Sequence, residues 1–364
     1  MSSIGDRVLQ SLEQKCPDLR HREVAERIGM TPDAFSRALS GQRQFASIEL
    51  ARLSEMIDAD IHWLITGQPD PNRLSIAARH DFDHATARRT VPGREDDEQT
   101  LTDIALAYRQ AYPAPRAASS RTCPRSPGAV RDALGPDFVR HFARMLEQRL
   151  GIDVVRVPGL STAYSLTIGG RPVIAIATTA NWFRANWDLA HELGHLVSGH
   201  HDDGIGEAEA GRHESAANAF AAELLLPAET LKGIEWDSIS DGDLARLVWD
   251  WGVSTDALRR RLQVLTCHIP APVARWAAAP TQRLLRRHLA IDSELDEITA
   301  RMEHASQRRF PLSLQEAHWE RVASGAIGRA TLAWMLGIDA DALEVDSPEI
   351  PEVNADDLAA ALGL

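Results

Sequence analysis

The chain of 364 residues is long enough for two or three domains, because single hydrophobic cores usually stop growing beyond about 200 residues. Its hydrophobic content of 44% and charged content of 25% are ordinary for a globular protein, while a net charge of −13 excludes broad, nonspecific attraction to nucleic acid, which needs many Lys and Arg contacts. Three cysteines without a CxxC pair fit a reducing compartment, and neither a long apolar run nor a signal peptide is present, so we expect a cytoplasmic protein that does not enter membranes.

The first 69 residues predict a compact domain of five short helices. Glycines at 29, 41 and 67 punctuate the helical segments between residues 4 and 66. Within them, "HREVAERIGMTPDAFSRALSGQRQF" predicts a helix that ends at Gly29, a short turn, and a second helix with Thr31 as N-cap and Pro32 in its first position. Two helices joined in this way form a helix-turn-helix.

This segment resembles the XRE, or lambda-repressor-like, family of DNA-binding domains. The resemblance implies that the second helix enters the major groove and that the start of the first helix and the following loop touch phosphate. The expected DNA-binding residues are His21, Thr31, Asp33, Ser36, Arg37, Gln42 and Arg43. Pro32 departs from the family, which often has Gln there, and residues 1–70 hold eleven acids against eight bases, so a domain that docks protein instead of operator DNA stays open.

Residues 70–98 are polar and charged without sustained apolar periodicity, and we assign them as a linker. A helix at residues 136–150 then leads into three apolar runs, "IDVVRV", "AYSLTI" and "PVIAIA". The pair Gly169-Gly170 between the last two runs predicts a hairpin turn. Together the runs predict a small antiparallel sheet.

The stretch "LAHELGHLVSGHH" follows the sheet and carries the HExxH pattern of a zinc-binding helix. Residues four apart share a helix face, so His191 and His195 project side by side, close enough to grip one cation. Glu192 is rotated by about 100° from His191 and can take a proton from a metal-bound water, the general-base role in zinc peptidases. Gly194 fits a helix whose backbone approaches another element closely.

A catalytic zinc needs a third protein ligand, and two candidates compete for that role. His201 is the first, as in HExxHxxGxxH metzincins, but the glycine is displaced to position 199 and no methionine follows before Met302. Glu214, on a second predicted helix in "HESAANAFAAELLLP", is the better candidate. Glu223 points about 180° away from it on the same helix, so we read Glu223 as a solvated carboxylate.

The two stretches "WDLAHELGHLVSGH" and "ESAANAFAAELLLP" together resemble the ImmA/IrrE family of zinc endopeptidases, over residues 100–265. The resemblance implies a zincin-like (gluzincin-like) domain that binds Zn2+ through His191, His195 and Glu214, with Glu192 as the base. It supplies no group that stabilises the oxyanion; His200, His213 and Tyr164 are candidates by proximity alone.

We therefore expect an α+β, predominantly α, multidomain protein. Its parts are a helix-turn-helix domain at 1–69, a linker at 70–98, a metallopeptidase domain at 99–265 and a helical C-terminal domain at 266–364. The last hundred residues show no strand alternation.

Two functions from different classes remain. The first is a transcriptional regulator, of stress-response type, whose zinc endopeptidase domain cleaves a protein substrate: its own linker, or a partner XRE-type repressor or antitoxin. The second is a non-catalytic DNA-binding repressor or antitoxin, with a structural or vestigial metal site, that binds a toxin. The expected partners are thus a protein substrate and operator DNA. We expect no membrane contact, and homodimer formation is left open.

Overall fold

A computed structural model of the protein describes residues 3–17, 19–57, 59–67, 75–78, 81–83, 88–90, 94–114, 123–200, 207–289 and 296–345. Within these residues the fold is α+β, predominantly α and multidomain, as predicted. No helix in the described ranges combines the length and the apolar content needed to cross a bilayer. His201, weighed above as a metal ligand, lies outside the described residues.

The five predicted N-terminal helices are present: α1 (Ile4–Lys15), α2 (His21–Ile28), α3 (Pro32–Leu39), α4 (Ser47–Met56) and α5 (Ile61–Thr66). The predicted boundary between α2 and α3 is confirmed, since Gly29 adopts a left-handed φ of 78° and the Thr31 hydroxyl accepts a hydrogen bond from the amide of Ala34. One apolar core, which includes Val24, Phe35 and Leu53, holds the helices together.

Residues 70–98, assigned as a linker, contain three short strands in their described part, β1 (Ser75–Ala78), β2 (Asp81–Asp83) and β3 (Arg88–Thr90), and the start of α6 (Arg94–Ala111). Strand β2 pairs with β3, and β1 pairs antiparallel with a strand of the central sheet. At least this part of the segment is therefore built into the fold.

The central sheet follows α7 (Pro127–Leu134) and a helical stretch, residues 138–150, made of a 3-10 turn (Phe138–His141), α8 (Phe142–Met145) and a π-helical turn (Leu146–Leu150). Its strands are β4 (Asp153–Val157), β5 (Tyr164–Ile168) and β6 (Arg171–Ala177). Among the described residues the order is β1-β5-β6-β4.

The hairpin between β5 and β6 at Gly169-Gly170 is confirmed, but the prediction of a wholly antiparallel sheet is wrong. Strand β4 runs parallel to β6, with Val155 opposite Ala175. The reason is that β5 takes one edge of β6 through the hairpin, which leaves the other edge for β4; the chain between β4 and β5 then crosses over the end of β6. Alternation of apolar residues indicates which face of a strand is buried, but it does not determine which strand pairs with it.

Both faces of this sheet are buried. Val154, Ile174 and Ile176 face one core together with residues of the histidine helix, and Val155 and Val173 face a second core on the opposite side. Near-continuous apolar strands are the expected sequence of a sheet that is covered on both faces.

After the sheet the described chain is helical. Its elements are α9 (Trp182–Ser198), α10 (Glu207–Leu225), α11 (Ala228–Lys232), a 3-10 turn (Trp236–Ser238), α12 (Asp241–Asp250), α13 (Thr255–Thr266), α14 (Ala271–Ala277), α15 (Thr281–His288), α16 (Glu297–Ser306), α17 (Leu312–Ala323), α18 (Ala330–Leu336) and a final 3-10 turn (Ala340–Ala342). Helix α9 packs on one face of the sheet, and α6 and α17 lie on the other.

The described C-terminal residues are helical, as predicted, and they also complete the sheet region. Phe310 and Leu314 belong to the core on the second sheet face. The backbones of Arg156 in β4 and Arg309 exchange two hydrogen bonds of 2.8 Å, so Arg309 extends the outer edge of β4 by one bridge. This edge is therefore covered where it would otherwise expose backbone groups.

Candidate metal centre

Helices α9 and α10 lie side by side and bring the predicted metal ligands together. The two helices approach closely at Gly194: a Cβ built there would stand 3.1 Å from the Cα of Ala217 and 3.2 Å from the Cβ of Phe220. The close approach predicted for Gly194 is confirmed, and it explains why a residue that weakens helices stands inside α9.

Three side chains converge at this crossing. The Nε2 atoms of His191 and His195 lie 3.1 Å apart, and the carboxylate of Glu214 reaches them at 3.3 and 3.4 Å. With bonds of about 2.0–2.1 Å, the ligand atoms of tetrahedral zinc lie about 3.3 Å from one another. Each imidazole nitrogen thus faces its own oxygen of Glu214, Oε2 for His191 and Oε1 for His195, at separations close to those between zinc ligands. Three protein ligands would leave a further coordination position for water or substrate.

Each imidazole also forms a hydrogen bond through Nδ1, the ring nitrogen that does not face the cluster, as metal-bound histidines commonly do. His191 donates from Nδ1 to the Oδ1 of Asn218, 3.1 Å away, which directs its Nε2 toward the ligand cluster. His195 meets the Nδ1 of His200 with its own Nδ1 at 3.2 Å. The ring of His200 in turn stacks on His213, with centroids 3.8 Å apart and an interplanar angle of 5°.

Sequence reasoning missed Asn218 altogether and named His200 only as an oxyanion candidate. Asn218 follows Glu214 by four residues, so the same spacing rule that paired His191 with His195 places Asn218 on the ligand face of α10. That spacing was the available signal. The contact of His200 carries no such signal, because it depends on where the chain turns after α9 ends at Gly199.

Glu192 is the most unusual carboxyl group of the site. It is fully buried, and neither carboxylate oxygen has a hydrogen bond within ordinary geometric limits among the described residues. Burial raises the pKa of Glu192 to about 7, although the neighbouring His191 and the hydroxyl of Ser165 on β5 act in the opposite direction. A carboxyl group in this environment exchanges its proton near neutral pH.

The carboxyl group of Glu214 responds in the opposite way. Burial acts to raise its pKa, but hydrogen bonds and charge interactions with His191 and His195 outweigh burial and hold the pKa well below its usual range. Glu214 is therefore an anion at any pH at which the protein is handled, as a metal ligand must be. Burial likewise lowers the pKa of His195, which favours the neutral ring that binds a metal.

Glu223, predicted to be a solvated carboxylate, is instead half-buried and pairs with Arg261. Glu209 is exposed on the first turns of α10. Among the described residues, the cluster with metal-ligand geometry is His191, His195 and Glu214.

Of the oxyanion candidates, Tyr164 lies in the core on the other face of the sheet, where its hydroxyl donates to Asp97 at 2.6 Å. Tyr164 is therefore no longer a candidate for stabilising the oxyanion. His200 and His213 remain beside the ligands, and Nδ1 of His213 is buried without a hydrogen-bond partner in the described part of the chain.

The residues predicted to contact DNA are placed as follows. Asp33, Ser36 and Arg37 are exposed on α3, and Arg37 pairs with Asp33 at 3.3 Å. His21 is exposed at the start of α2, with its ring edge-on to Phe35.

The other three residues predicted to contact DNA differ in the hydrogen bonds that they form within the protein. Gln42 is exposed, and Thr31 is exposed while its hydroxyl caps α3. Arg43 is half-buried and bound through both terminal nitrogens to Glu49, at 2.8 and 2.9 Å, so its guanidinium is already engaged. DNA contact by the seven residues stays a prediction.

A family model described as Peptidase_M78, IrrE N-terminal-like domain, matches residues 147–263. No curated protein and no solved structure shows a significant match to the chain. The matched residues include the central strands β4 to β6, the whole of α9 and α10, and hence every ligand of the centre described above. This part of the protein is similar to that peptidase family, in agreement with the resemblance seen in the sequence.

Proposed function

We propose that the protein is a zinc-dependent endopeptidase of the ImmA/IrrE kind and acts as a regulator. The observation that carries the proposal is the convergence of two imidazole nitrogens and the Glu214 carboxylate within 3.1–3.4 Å of one another on α9 and α10, beside a buried carboxyl group one residue from the first ligand. The match of residues 147–263 to a peptidase family supports the same activity.

Zinc and Glu192 would have separate roles in peptide hydrolysis. When bound, zinc supplies Lewis acidity: it polarises the scissile carbonyl and lowers the pKa of the water it holds. Glu192 accepts the proton of the attacking water at a carboxylate oxygen and passes it to the leaving amine. Burial raises the pKa of this carboxyl group, which strengthens it as a base for the first transfer.

The surroundings of Glu192 support this role. Full burial keeps bulk water from competing for its oxygens, and the sheet residue Ser165 and the helix residue His191 bound its position on two sides. Asn218 and His200 fix the rotation of the two imidazoles, so the ligand atoms are arranged before the metal arrives.

The proposed targets are proteins. We propose that the substrate is either the protein's own chain between the N-terminal domain and α6, or an XRE-type repressor or antitoxin, and that cleavage changes transcription. The exposed acid, hydroxyl and arginine side chains of α3 support an operator-binding role for the N-terminal helices. Residence in the cytoplasm follows from these partners.

The test compares the zinc-loaded protein with Glu192→Gln, and with Glu229→Gln as a matched control at an exposed glutamate on α11. Each protein is incubated alone and with a peptide library derived from a digested proteome, and new chain ends are identified by mass spectrometry. We expect cleavage by the parent and the control, and none by Glu192→Gln although its zinc content is unchanged. Equal cleavage by all three proteins, or a parent without bound zinc, would refute the proposal.

A further inference from the structure

A groove lined by the same two helices lies next to the metal cluster, at Asn218. On α9, Arg184, Asp188 and His191 fall on one stripe, at spacings of four and three residues, and on α10 the residues Glu214 and Asn218 do the same. Because His191 meets Asn218 while His195 meets Glu214, the two helices run antiparallel. The stripes therefore lead together away from the ligands, toward the start of α9 and the end of α10.

The groove between these stripes is a cavity of about 1020 Å³. Its opposite wall is α13 with the residues before it, from Val253 to Val264, and the crossover loop between β4 and β5 closes one side with Ser161 and Thr162. Eight helical steps of 1.5 Å from Asp256 to Val264 make the helical part of this wall about 12 Å long, which matches about four residues of extended chain at 3.3 Å each. A groove of this length fits a polypeptide segment.

The inner surface of the groove is mainly apolar. Trp187 on α9 and Ala222 on α10 are half-buried and face it, and Ala257 lines the facing wall on α13. The two alanines leave the space that larger residues would fill. A large apolar side chain placed there would bury its surface against the indole of Trp187.

Two ion pairs of the groove each place the arginine nearer solvent than its acidic partner, whereas Arg261 lies deep and pairs with Glu223. Arg184 and Arg260 keep 60% and 74% of their side-chain surface exposed, whereas their partners Asp188 and Asp256 keep 12% and 42%. The groups nearest solvent at the rim are thus guanidinium groups, although the chain as a whole carries a charge of −13. Such a rim attracts a carboxylate on the bound segment.

We propose that this groove binds the protein substrate on one side of the scissile bond, and that it selects a large apolar residue, held between Trp187 and Ala222, followed or preceded by an acidic residue at Arg260. This inference rests on the proposed peptidase function and assigns its substrate class. Asn218 stands where the groove meets the centre: it is exposed on the groove side and bound to His191 on the other. A segment lying in the groove is therefore separated from His191 by the side chain of Asn218.

The first test fills the groove. Ala222→Trp and, on the facing wall, Ala257→Trp occupy the apolar space, and Ala216→Trp is the matched control at an exposed position of α10 outside the groove. The probe is the peptide library derived from a digested proteome, with zinc content and thermal unfolding measured for each protein. We expect both groove variants to cleave peptides with a large apolar residue at the selected position about tenfold less efficiently, while peptides with Gly or Ala there are retained.

The second test reverses the rim charge. Arg260→Glu is paired with Arg259→Glu, because both arginines bind Asp256 and only Arg260 lines the groove. We expect KM for acid-containing peptides to rise about tenfold in Arg260→Glu with kcat little changed, and no such rise in Arg259→Glu.

The outcomes separate the two proposals. Cleavage by the parent with a profile that neither the filled groove nor the reversed rim alters overturns the groove assignment and leaves the peptidase standing. A zinc-loaded parent that cleaves nothing overturns the peptidase, and the assigned substrate class with it.

Discussion

Replacing Glu192 by Gln should stabilise the metal-free protein against unfolding, and by an amount that depends on pH. The carboxyl group is fully buried, and burial raises its pKa to about 7 from a usual value of 4.5. The folded state therefore keeps a proton that the unfolded chain releases above pH 4.5, and folding becomes less favourable as the pH rises through this interval. Glutamine carries no such penalty, because it does not ionise.

The size of the effect follows from the shift. At 1.36 kcal/mol per pKa unit, the free energy of unfolding of the parent should fall by about 2–3 kcal/mol relative to Glu192→Gln between pH 5 and pH 8. At pH 5 the parent is already protonated when folded, so the two proteins should differ little. All other titrating groups are shared by both proteins, so their contributions largely cancel in the comparison.

The measurement is urea unfolding of both proteins in the presence of a chelator at several pH values, followed by tryptophan fluorescence, since Trp182 and Trp249 lie in the core that packs against α9. A stability difference that stays the same from pH 5 to pH 8 would show that Glu192 is ionised in the folded protein at low pH as well, and the reasoning from burial would fail. The expected result also means that the proposed catalytic base lowers the stability of the fold that holds it.

Three further outcomes are expected. Glu214→Gln should weaken zinc binding about a hundredfold or more, because it removes the anionic ligand, while Glu209→Gln, exposed on the same helix, should leave the zinc affinity unchanged in a chelator competition. Asp97→Ala should lower the free energy of unfolding by about 3 kcal/mol, because the buried carboxylate accepts hydrogen bonds from three donors, whereas Asp103→Ala should cost little; equal losses in chemical denaturation would contradict this. Arg37→Ala should weaken operator binding by about 1–3 kcal/mol in a mobility-shift assay at fixed salt, and an unchanged affinity would place α3 away from the groove of DNA.

The metal centre was predictable because its spacing rules are local. Residues four apart share a helix face in any protein, so His191 and His195 were paired before the fold was known. Glu214 needed one further step, a second helix with a face to pack, and the structure places its carboxylate beside both imidazoles. The third-ligand role of His201 lies outside the described residues.

The helix ends were predictable for the same reason. The N-cap at Thr31 and the left-handed glycine at 29 depend on hydrogen bonds within a few residues. The hairpin at Gly169-Gly170 is likewise a property of the turn itself. In each case one short stretch contains all the interacting groups.

What the sequence by itself determined is thus the five N-terminal helices, strands β4 to β6 and the three side chains of the candidate metal cluster, but not strands β1 to β3. Only the tertiary structure decided that β4 runs parallel to β6, that Arg309 pairs with Arg156, that Tyr164 donates to Asp97 and that α13 forms the far wall of a groove beside the ligands. These contacts join residues up to about 150 positions apart. Periodicity states which face of an element is buried, but the choice of its neighbour depends on which other faces and edges the whole chain leaves to be covered.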